Sequence, residues 1–148
     1  MPAVASLEAL PSWAGELLEG ERVGHLGLLD DDERPRVLPV TFAVAGPQVW
    51  SAVDDKPKRV PGDRLARLRW LRARPASTLT VDRYDEDWTR LAWVQRVGET
   101  AILDVLGHDD ALDALAARYA HYRDRPPRGP LLCLTPHRIV YWRATADR

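Results

Sequence analysis

Hydrophobic and polar positions alternate with a period of two over much of this chain, which predicts β-strands. The clearest run is 36–44, where Leu38, Val40, Phe42 and Val44 share one face. Pro39 lies inside this run and cannot donate a ladder hydrogen bond, so the strand is expected at a sheet edge or with a bulge. The complete set of predicted strands is 22–29, 36–44, 49–53, 77–84, 88–103 and 131–143.

Three segments show the helical period instead, and they cover 12–19, 64–74 and 109–122. Asp63 is positioned to cap the second helix, and Pro75 ends it. Glycine marks corners and bulges in barrels, so the long strand is expected to bend near Gly98. Six antiparallel strands avoid exposed edges best by curling into a barrel. The prediction is one mainly β domain over 1–148, with a helical lead-in over 1–20.

Composition excludes several classes of protein. The chain has 148 residues and a formal net charge of −1, which does not suit a globally basic protein that coats nucleic acid. No apolar run approaches 18 residues, and the first twenty lack a basic signal-peptide region. Cys133 is the only cysteine and lies in an apolar run, which indicates a buried, inert thiol. We therefore expect a cytoplasmic protein that has no membrane or nucleic-acid partner.

The chemistry-bearing feature is a cationic stretch. The familiar catalytic motifs are absent, and the four histidines lack metal-ligand spacing, so no metal site is predicted. Eight basic residues lie between 56 and 74, opposed there only by Asp63. Cations late in a helix suit its dipole, so Arg72 and Arg74 are interpreted as a solvated face. Cations that converge with loop amides bind phosphate or carboxylate, and we expect this of Lys56, Lys58, Arg59 and Arg67.

Several segments together resemble a known superfamily. They are PVTF (39–42), WSAVD (50–54), DKPKR (55–59), RLRWLRARP (67–75) and VDRYDEDWTRLAWV (81–94). They resemble the split β-barrel flavin-binding superfamily, which includes pyridoxamine 5′-phosphate oxidase. The closer similarity is to its branch of probable coenzyme F-420 (deazaflavin)-dependent oxidoreductases. The fold implied is a six-stranded antiparallel split β-barrel with a few flanking helices.

The resemblance also implies an assembly and a cofactor site. It implies a homodimer that holds one cofactor in each of two interface clefts, with 88–97 at the interface. Arg67 and Arg69 match the residues that hold the cofactor phosphate, and Ser51 matches a polar residue that also reaches it. Backbone groups of the strand beside the isoalloxazine ring correspond to Pro39, Val40 and Thr41. The polyglutamate tail of the deazaflavin would meet Lys56, Lys58 and Arg59.

The function implied is an oxidoreductase that transfers a hydride from reduced coenzyme F-420 to an unsaturated small molecule. An FMN-dependent oxidoreductase of the same fold and a non-catalytic flavin- or deazaflavin-binding protein remain alternatives. A haem-binding relative is disfavoured, because no well-placed axial ligand is evident in the sequence. No catalytic residue is assigned, since hydride chemistry resides in the cofactor. Candidates to line the substrate cleft are Trp88, Trp93 and Trp142.

Overall fold

Strands dominate the computed structural model, which describes residues 1–53 and 62–145, with the backbone alone at 62–65. The described strands are β1 (Ala3–Val4), β2 (Gly24–Leu29), β3 (Pro35–Val40), β4 (Ala43–Ala45), β5 (Gln48–Ala52), β6 (Ala76–Arg83), β7 (Ala92–Leu103) and β8 (Leu131–Arg143). The described α-helices are α1 (Ser12–Gly20), α2 (Gly62–Ala73), α3 (Asp109–Arg118) and α4 (Ala120–Asp124). No helix in this part of the chain is long and apolar enough to cross a membrane.

The strands form one antiparallel sheet that curls on itself. Its order is β3-β2-β6-β7-β8-β5-β4, with β1 paired to part of β8. β3 and β4 therefore stand at opposite ends of the sheet, although only Thr41 and Phe42 separate them in the chain. Three Cα steps span at most about 11 Å, so the two ends must lie close together. No ladder joins these two described strands, and the resulting barrel is split along this line.

Two apolar clusters cover the two faces of the curled sheet. The first fills the barrel interior, where α1 contributes Ala14, Leu17 and Leu18 at helical spacing. The second lies outside the barrel, where α3 and α4 pack against β4, β5 and β8. All four residues from Leu131 to Leu134 are buried, because their side chains alternate between the two clusters. Cys133 is among them, and burial raises the pKa of its thiol, as expected for an inert cysteine.

The sheet has eight described strands where the sequence predicted six. One addition is β1, and the other arises because the predicted strand 36–44 is two strands. At the break, the Phe42 N–H donates to the Tyr119 hydroxyl at 3.0 Å, and the Thr41 and Tyr122 hydroxyls lie 2.7 Å apart. These tyrosines replace the missing strand partner. The face predicted across the run is broken too, since Val44 is exposed.

The helices differ from the prediction in one respect that matters. The predicted helix 109–122 is interrupted at Tyr119, whose backbone is extended, so α3 and α4 are separate. The break lies at the residue whose hydroxyl contacts Phe42 and accepts its N–H. The other two predicted helices are present, and α2 begins at Gly62, one residue before the expected cap Asp63. The predicted end before Pro75 is confirmed.

Gly98 bends the longest hairpin, as the sequence predicted. The β7–β8 register shifts between Val97 and Gly98, and β8 continues through Pro136 at that point. A Cβ placed on Gly98 would lie 2.1 Å from the Thr135 carbonyl oxygen and 2.9 Å from the Pro136 Cα. Only glycine allows the two backbones to approach this closely.

Among the described side chains, Arg96 is the one charged group that is fully buried in the barrel interior. It lies in the inward phase of β7, between Val94 and Gly98, with no exposed surface. None of its three guanidinium nitrogens has a hydrogen-bond partner among the residues that the structure describes. Its guanidinium carbon lies 5.0 Å from the centre of the Phe42 ring, a cation–π distance. Burial, and then the nearby charge of Arg118, lower the pKa of Arg96 to about 9.

Arg118 ties the end of α3 to the end of α1. Its guanidinium donates to the carbonyls of Leu18 at 3.2 Å, Glu19 at 3.0 Å and Glu21 at 2.5 Å. These carbonyls lie at or just beyond the end of α1, where carbonyls lack helical partners and a cation suits the helix dipole. The same guanidinium lies 4.6 Å from the Phe42 ring centre. Phe42 is therefore in contact with two arginines.

Gly98→Ala should destabilise the protein by about 1–3 kcal/mol, because the added methyl collides with backbone that cannot rotate away. Gly15→Ala is the control: a Cβ there meets nothing within 4 Å. Replacing this helical glycine with alanine should raise the free energy of unfolding by about 0.5–1 kcal/mol. Urea unfolding of the two variants and the wild type measures both values. Equal stability of wild type and Gly98→Ala would contradict the close approach at the bulge.

Arg96→Met should stabilise the protein. Replacing buried charges with apolar residues of similar volume raises the free energy of unfolding by about 1–4 kcal/mol. The replacement also removes the cation–π attraction to Phe42, which is worth about 2 kcal/mol. Because Arg96 has no hydrogen-bond partner among the described residues, we expect a net gain of about 1–2 kcal/mol. The exposed Arg72→Met, on α2, is the control and should change stability by less than about 0.5 kcal/mol.

The gain from Arg96→Met should depend on pH with a definite sign. The folded-state pKa of Arg96 is about 9, well below its ordinary value, so the wild type carries the full penalty of the buried charge below pH 9. As the pH rises above about 9, Arg96 loses its proton in the folded wild type before it does in the unfolded chain, and the stability advantage of the variant shrinks. Urea unfolding at pH 7 and pH 10 tests this. A lower stability of the variant at pH 7 would show that Arg96 has a compensating partner.

Candidate functional site

The segment predicted to run beside a cofactor ring lies at the open end of the sheet. Among the described strands, β3 pairs only with β2, with Pro39 opposite His25, so the predicted edge position of Pro39 is confirmed. Pro39 is exposed, Val40 is buried in the interior, and the Thr41 hydroxyl is hydrogen-bonded to Tyr122. The side of β3 that faces away from β2 therefore carries backbone groups without a strand partner, which a flat polar heterocycle can use.

Ser51, predicted to reach a phosphate, faces the barrel interior. It points to the same side of β5 as Val49 and is buried, and its hydroxyl has no hydrogen-bond partner within the described chain. It lines an internal cavity of about 20 Å³ together with Val40 and Thr100. A cavity of this volume is large enough for a single water, although its walls are mainly apolar. The structure thus brings Ser51 and Val40 together, but inside the barrel.

The two arginines predicted to hold the phosphate leave α2 in different directions. They are two residues apart, which is about 200° around a helix. Arg69 is turned to the β2–β3 turn, where its Nη2 lies 2.7 Å from the Asp31 carboxylate. This hydrogen bond lowers the pKa of Asp31. An incoming phosphate would have to displace Asp31 from Arg69, whereas Arg67 is half-buried and points elsewhere.

Further contacts hold α2 to the same turn. Arg74 pairs with Glu33 at 3.2 Å, and the guanidinium of Arg36 lies 4.9 Å from the Trp70 ring centre. The acidic turn thus neutralises part of the cationic stretch that the sequence offered for anion binding. Arg72, interpreted as part of a solvated face, is exposed. The predicted tail contacts, Lys56, Lys58 and Arg59, lie outside the described residues, and their role stays a prediction.

The outer face of the sheet opposite the barrel interior forms a continuous surface. Two of its rows across the strands are Pro39–His25–Thr80–Gln95–Val140 and Val37–Gly27–Thr78–Val97–Arg138. A third row adds Trp93 directly opposite Trp142. None of these residues belongs to either buried cluster. We call this surface the outer sheet face; Val37 on it is 65% exposed.

The aromatic residues predicted to line a substrate cleft occupy one end of this surface. Trp93 and Trp142 are partly exposed cross-strand neighbours on the outer sheet face. Trp88 lies in the short 3-10 helix that leads into β7 and is 68% exposed. Large aromatic surfaces left in solvent mark binding surfaces more often than single exposed aliphatic residues do.

A large, mainly apolar groove lies elsewhere, and sequence reasoning missed it. It measures about 470 Å³ and is walled by α1, α3 and β4, with Phe42 at its wall. None of the residues predicted to bind the cofactor lines it. Its walls come from segments about 100 residues apart, so no local pattern marks it. Arg96 was missed as well, although a charged residue in the inward phase of a strand was a usable signal.

Comparisons with known proteins place the fold. The sequence matches no protein-family model and no curated protein. A FAD-binding protein of Mesorhizobium loti is 21% identical over 94% of this chain and 97% of its own, with a TM-score of 0.61. The haem storage protein HutZ of Vibrio cholerae is 13% identical over 91% and 96%, with a TM-score of 0.70.

A third solved structure is a Clostridium acetobutylicum protein related to general stress protein 26, of the pyridoxinephosphate oxidase family. It is 15% identical over 89% of this chain and 87% of its own, with a TM-score of 0.63. The sequence identities are low, and the feature that these three structures share with this chain is the arrangement of strands. The chain therefore has the split β-barrel fold found in flavin-binding, pyridoxinephosphate oxidase-like and haem-binding proteins.

Proposed function

We propose that this protein binds coenzyme F-420 and transfers a hydride from its reduced form to an unsaturated small molecule. The observation that carries the proposal is the open edge of β3 at Pro39–Thr41, beside the uncovered outer sheet face. Unpaired backbone N–H and C=O groups at such an edge match the polar rim of a flavin-type ring. The FAD-binding and oxidase-family structures of the same fold support a flavin-type cofactor.

The residues present fit such a cofactor unequally. Arg67 is half-buried on α2 and keeps the role of phosphate residue. Arg69 is already paired with Asp31, and the Ser51 hydroxyl is directed into the barrel. Arg67 remains the main phosphate residue in the proposal, because the resemblance in sequence places a cofactor-phosphate cation at this position. The ring supplies the hydride when the cofactor is bound, while the protein orients a substrate against the ring and excludes water.

The choice of a deazaflavin over FMN depends on the cations that follow β5. A glutamyl tail adds several carboxylates beyond the phosphate, and Lys56, Lys58 and Arg59 supply three positive charges in the loop before α2. FMN has no such tail and gives these charges no role. An FMN-dependent oxidoreductase is the alternative function, and a flavin- or deazaflavin-binding protein without turnover is the second alternative.

We further propose that the protein acts as a homodimer through the outer sheet face. The outer sheet face carries Val37, Trp93 and Trp142, and these residues belong to neither buried cluster. Such a face is suited to burial against a second copy of the chain. Packing two such faces would convert the open edge of β3 into a cleft closed by the partner. A small-molecule substrate would lie in this cleft, with the exposed Trp88 available to contact it.

The cofactor assignment predicts different responses to two cofactors. Replacing Lys56, Lys58 and Arg59 together with alanine should weaken coenzyme F-420 binding much more than FMN binding, because FMN lacks the glutamyl tail. The difference should shrink between about 0.1 M and 1 M salt, as the Debye length falls from about 10 Å to about 3 Å. Arg67→Ala should weaken both cofactors by about 1.5–3 kcal/mol, the value of a charge-assisted hydrogen bond.

Fluorescence titrations measure these affinities, and Arg72→Ala, an exposed arginine on the same helix, is the matched control with no expected effect. Unchanged affinity in Arg67→Ala would remove the phosphate assignment. Equal losses for both cofactors in the triple variant would favour FMN. Tight binding without oxidation of the reduced cofactor by any tested acceptor would favour the non-catalytic alternative.

The dimer proposal is tested by charge insertion on the outer sheet face. The wild type should have twice the chain mass in light scattering at micromolar concentration. Val37→Glu should be monomeric, because it places an unpaired carboxylate in the interface. Leu106→Glu is the control: this leucine is 81% exposed, in the turn before α3. A monomeric wild type, or a dimer that tolerates Val37→Glu, would contradict this interface.

A further inference from the structure

The groove between α1, α3 and β4 has the dimensions of a small-molecule site. Its volume of about 470 Å³ lies within the range of about 300–1,000 Å³ typical of ligand pockets. Small residues keep it open: Gly15, Ala114 and Ala117 lie on its walls, and a Cβ at Gly15 would meet nothing within 4 Å. Binding here requires neither the proposed cofactor nor a second copy of the chain.

The walls of the groove are mainly apolar. Nine of its eleven lining residues are glycine or apolar residues: Leu7, Leu10, Gly15, Leu18, Phe42, Ala43, Val44, Ala114 and Ala117. The other two are Glu19, which is exposed, and Arg118. An apolar molecule of matching size would remove this surface from water and gain about 25 cal/mol for each Å² buried.

The charge around the groove is unbalanced. Arg118 donates its hydrogen bonds to neutral backbone carbonyls, which fix the guanidinium in place without neutralising it. Arg96 lies behind Phe42, fully buried and without a hydrogen-bond partner. In the described chain, neither guanidinium is paired with a carboxylate. Two cations therefore act on one ring at the groove wall, and the single lining acid is in solvent.

Burial makes this imbalance effective. A charge on Arg96 is screened little by salt or water, so its field reaches the groove more strongly than that of a surface arginine. Glu19 is screened by solvent and compensates it weakly. Arg96 also lacks a described role in folding that would justify burying a charge there, since an apolar residue would pack with Phe42 as well.

We propose that this groove binds a small apolar molecule that carries one anionic group, such as an aromatic or aliphatic carboxylate. The apolar body contacts the leucines and alanines of α1 and α3, and the anionic end lies at Phe42, near Arg118. Arg96 adds a second positive charge from behind the ring. The site is separate from the residues assigned to the cofactor and goes beyond the proposed function.

The test compares two probes of one shape and different charge. Calorimetric titration of the cofactor-free protein uses 2-naphthoate and its neutral analogue 2-naphthamide. The carboxylate should bind about tenfold more tightly, as expected for one charge-assisted interaction. Ala117→Leu narrows the groove and should abolish binding of both probes. Ala120→Leu, an exposed alanine outside the groove, should leave both unchanged.

Arg96→Met separates charge from shape, because Arg96 does not line the groove. It should reduce the preference for naphthoate about threefold, because Arg118 remains, and leave the affinity for naphthamide unchanged. Absence of naphthoate binding at millimolar concentration, equal affinity for the two probes, or binding that survives Ala117→Leu would each overturn the proposal. The two probes on the wild type and on Ala117→Leu decide it even where Arg96→Met does not fold. If the protein failed to bind the proposed cofactor, each of these measurements would still test the groove.

Discussion

The fold depends on one short connection, the two residues Thr41 and Phe42 that lead from one end of the sheet to the other. If the seven strands from β3 to β4 lay side by side in a flat sheet, β3 and β4 would be about 28 Å apart at ordinary strand spacing. The connection spans less than half of that, so the sheet must curl. The crossing residues cannot pair as strands, and their polar groups need other partners. Tyr119 and Tyr122 provide these partners from outside the sheet.

This arrangement explains several features that look unrelated. The helix predicted over 109–122 breaks at Tyr119, where the hydroxyl is held at Phe42. The ring of Phe42 enters the interior and becomes the contact of Arg96 and Arg118. Arg118 in turn joins the C-terminal ends of α1 and α3, which fixes the two walls of the groove. The split, the groove and the buried charge thus share one origin.

Local pattern was sufficient for the features that depend on local chemistry. Alternation located the strands, Pro39 indicated the sheet edge, Pro75 the end of α2, and Gly98 the bulge. It failed at Thr41–Phe42, because apolar alternation continues unbroken through the crossing and the tyrosines that interrupt it lie about 80 residues further on. The pairing of Arg69 with Asp31 was equally hidden. Both residues can be read from the sequence, but only the tertiary structure shows that the β2–β3 turn, which carries Asp31, lies beside α2.

The remaining question is why the barrel retains a charge such as Arg96 in its interior. Burying it without a hydrogen-bond partner costs free energy that an apolar residue would save. It also raises the positive potential behind Phe42 in a region that solvent does not screen. A residue that lowers stability and is held in position by packing is typical of a binding site, where stability and function oppose each other. The same reasoning applies to Arg118, with the difference that its carbonyl contacts also close the fold. Arg96 makes no such contacts among the described residues. We therefore attribute its charge to ligand binding in the groove rather than to the stability of the barrel core.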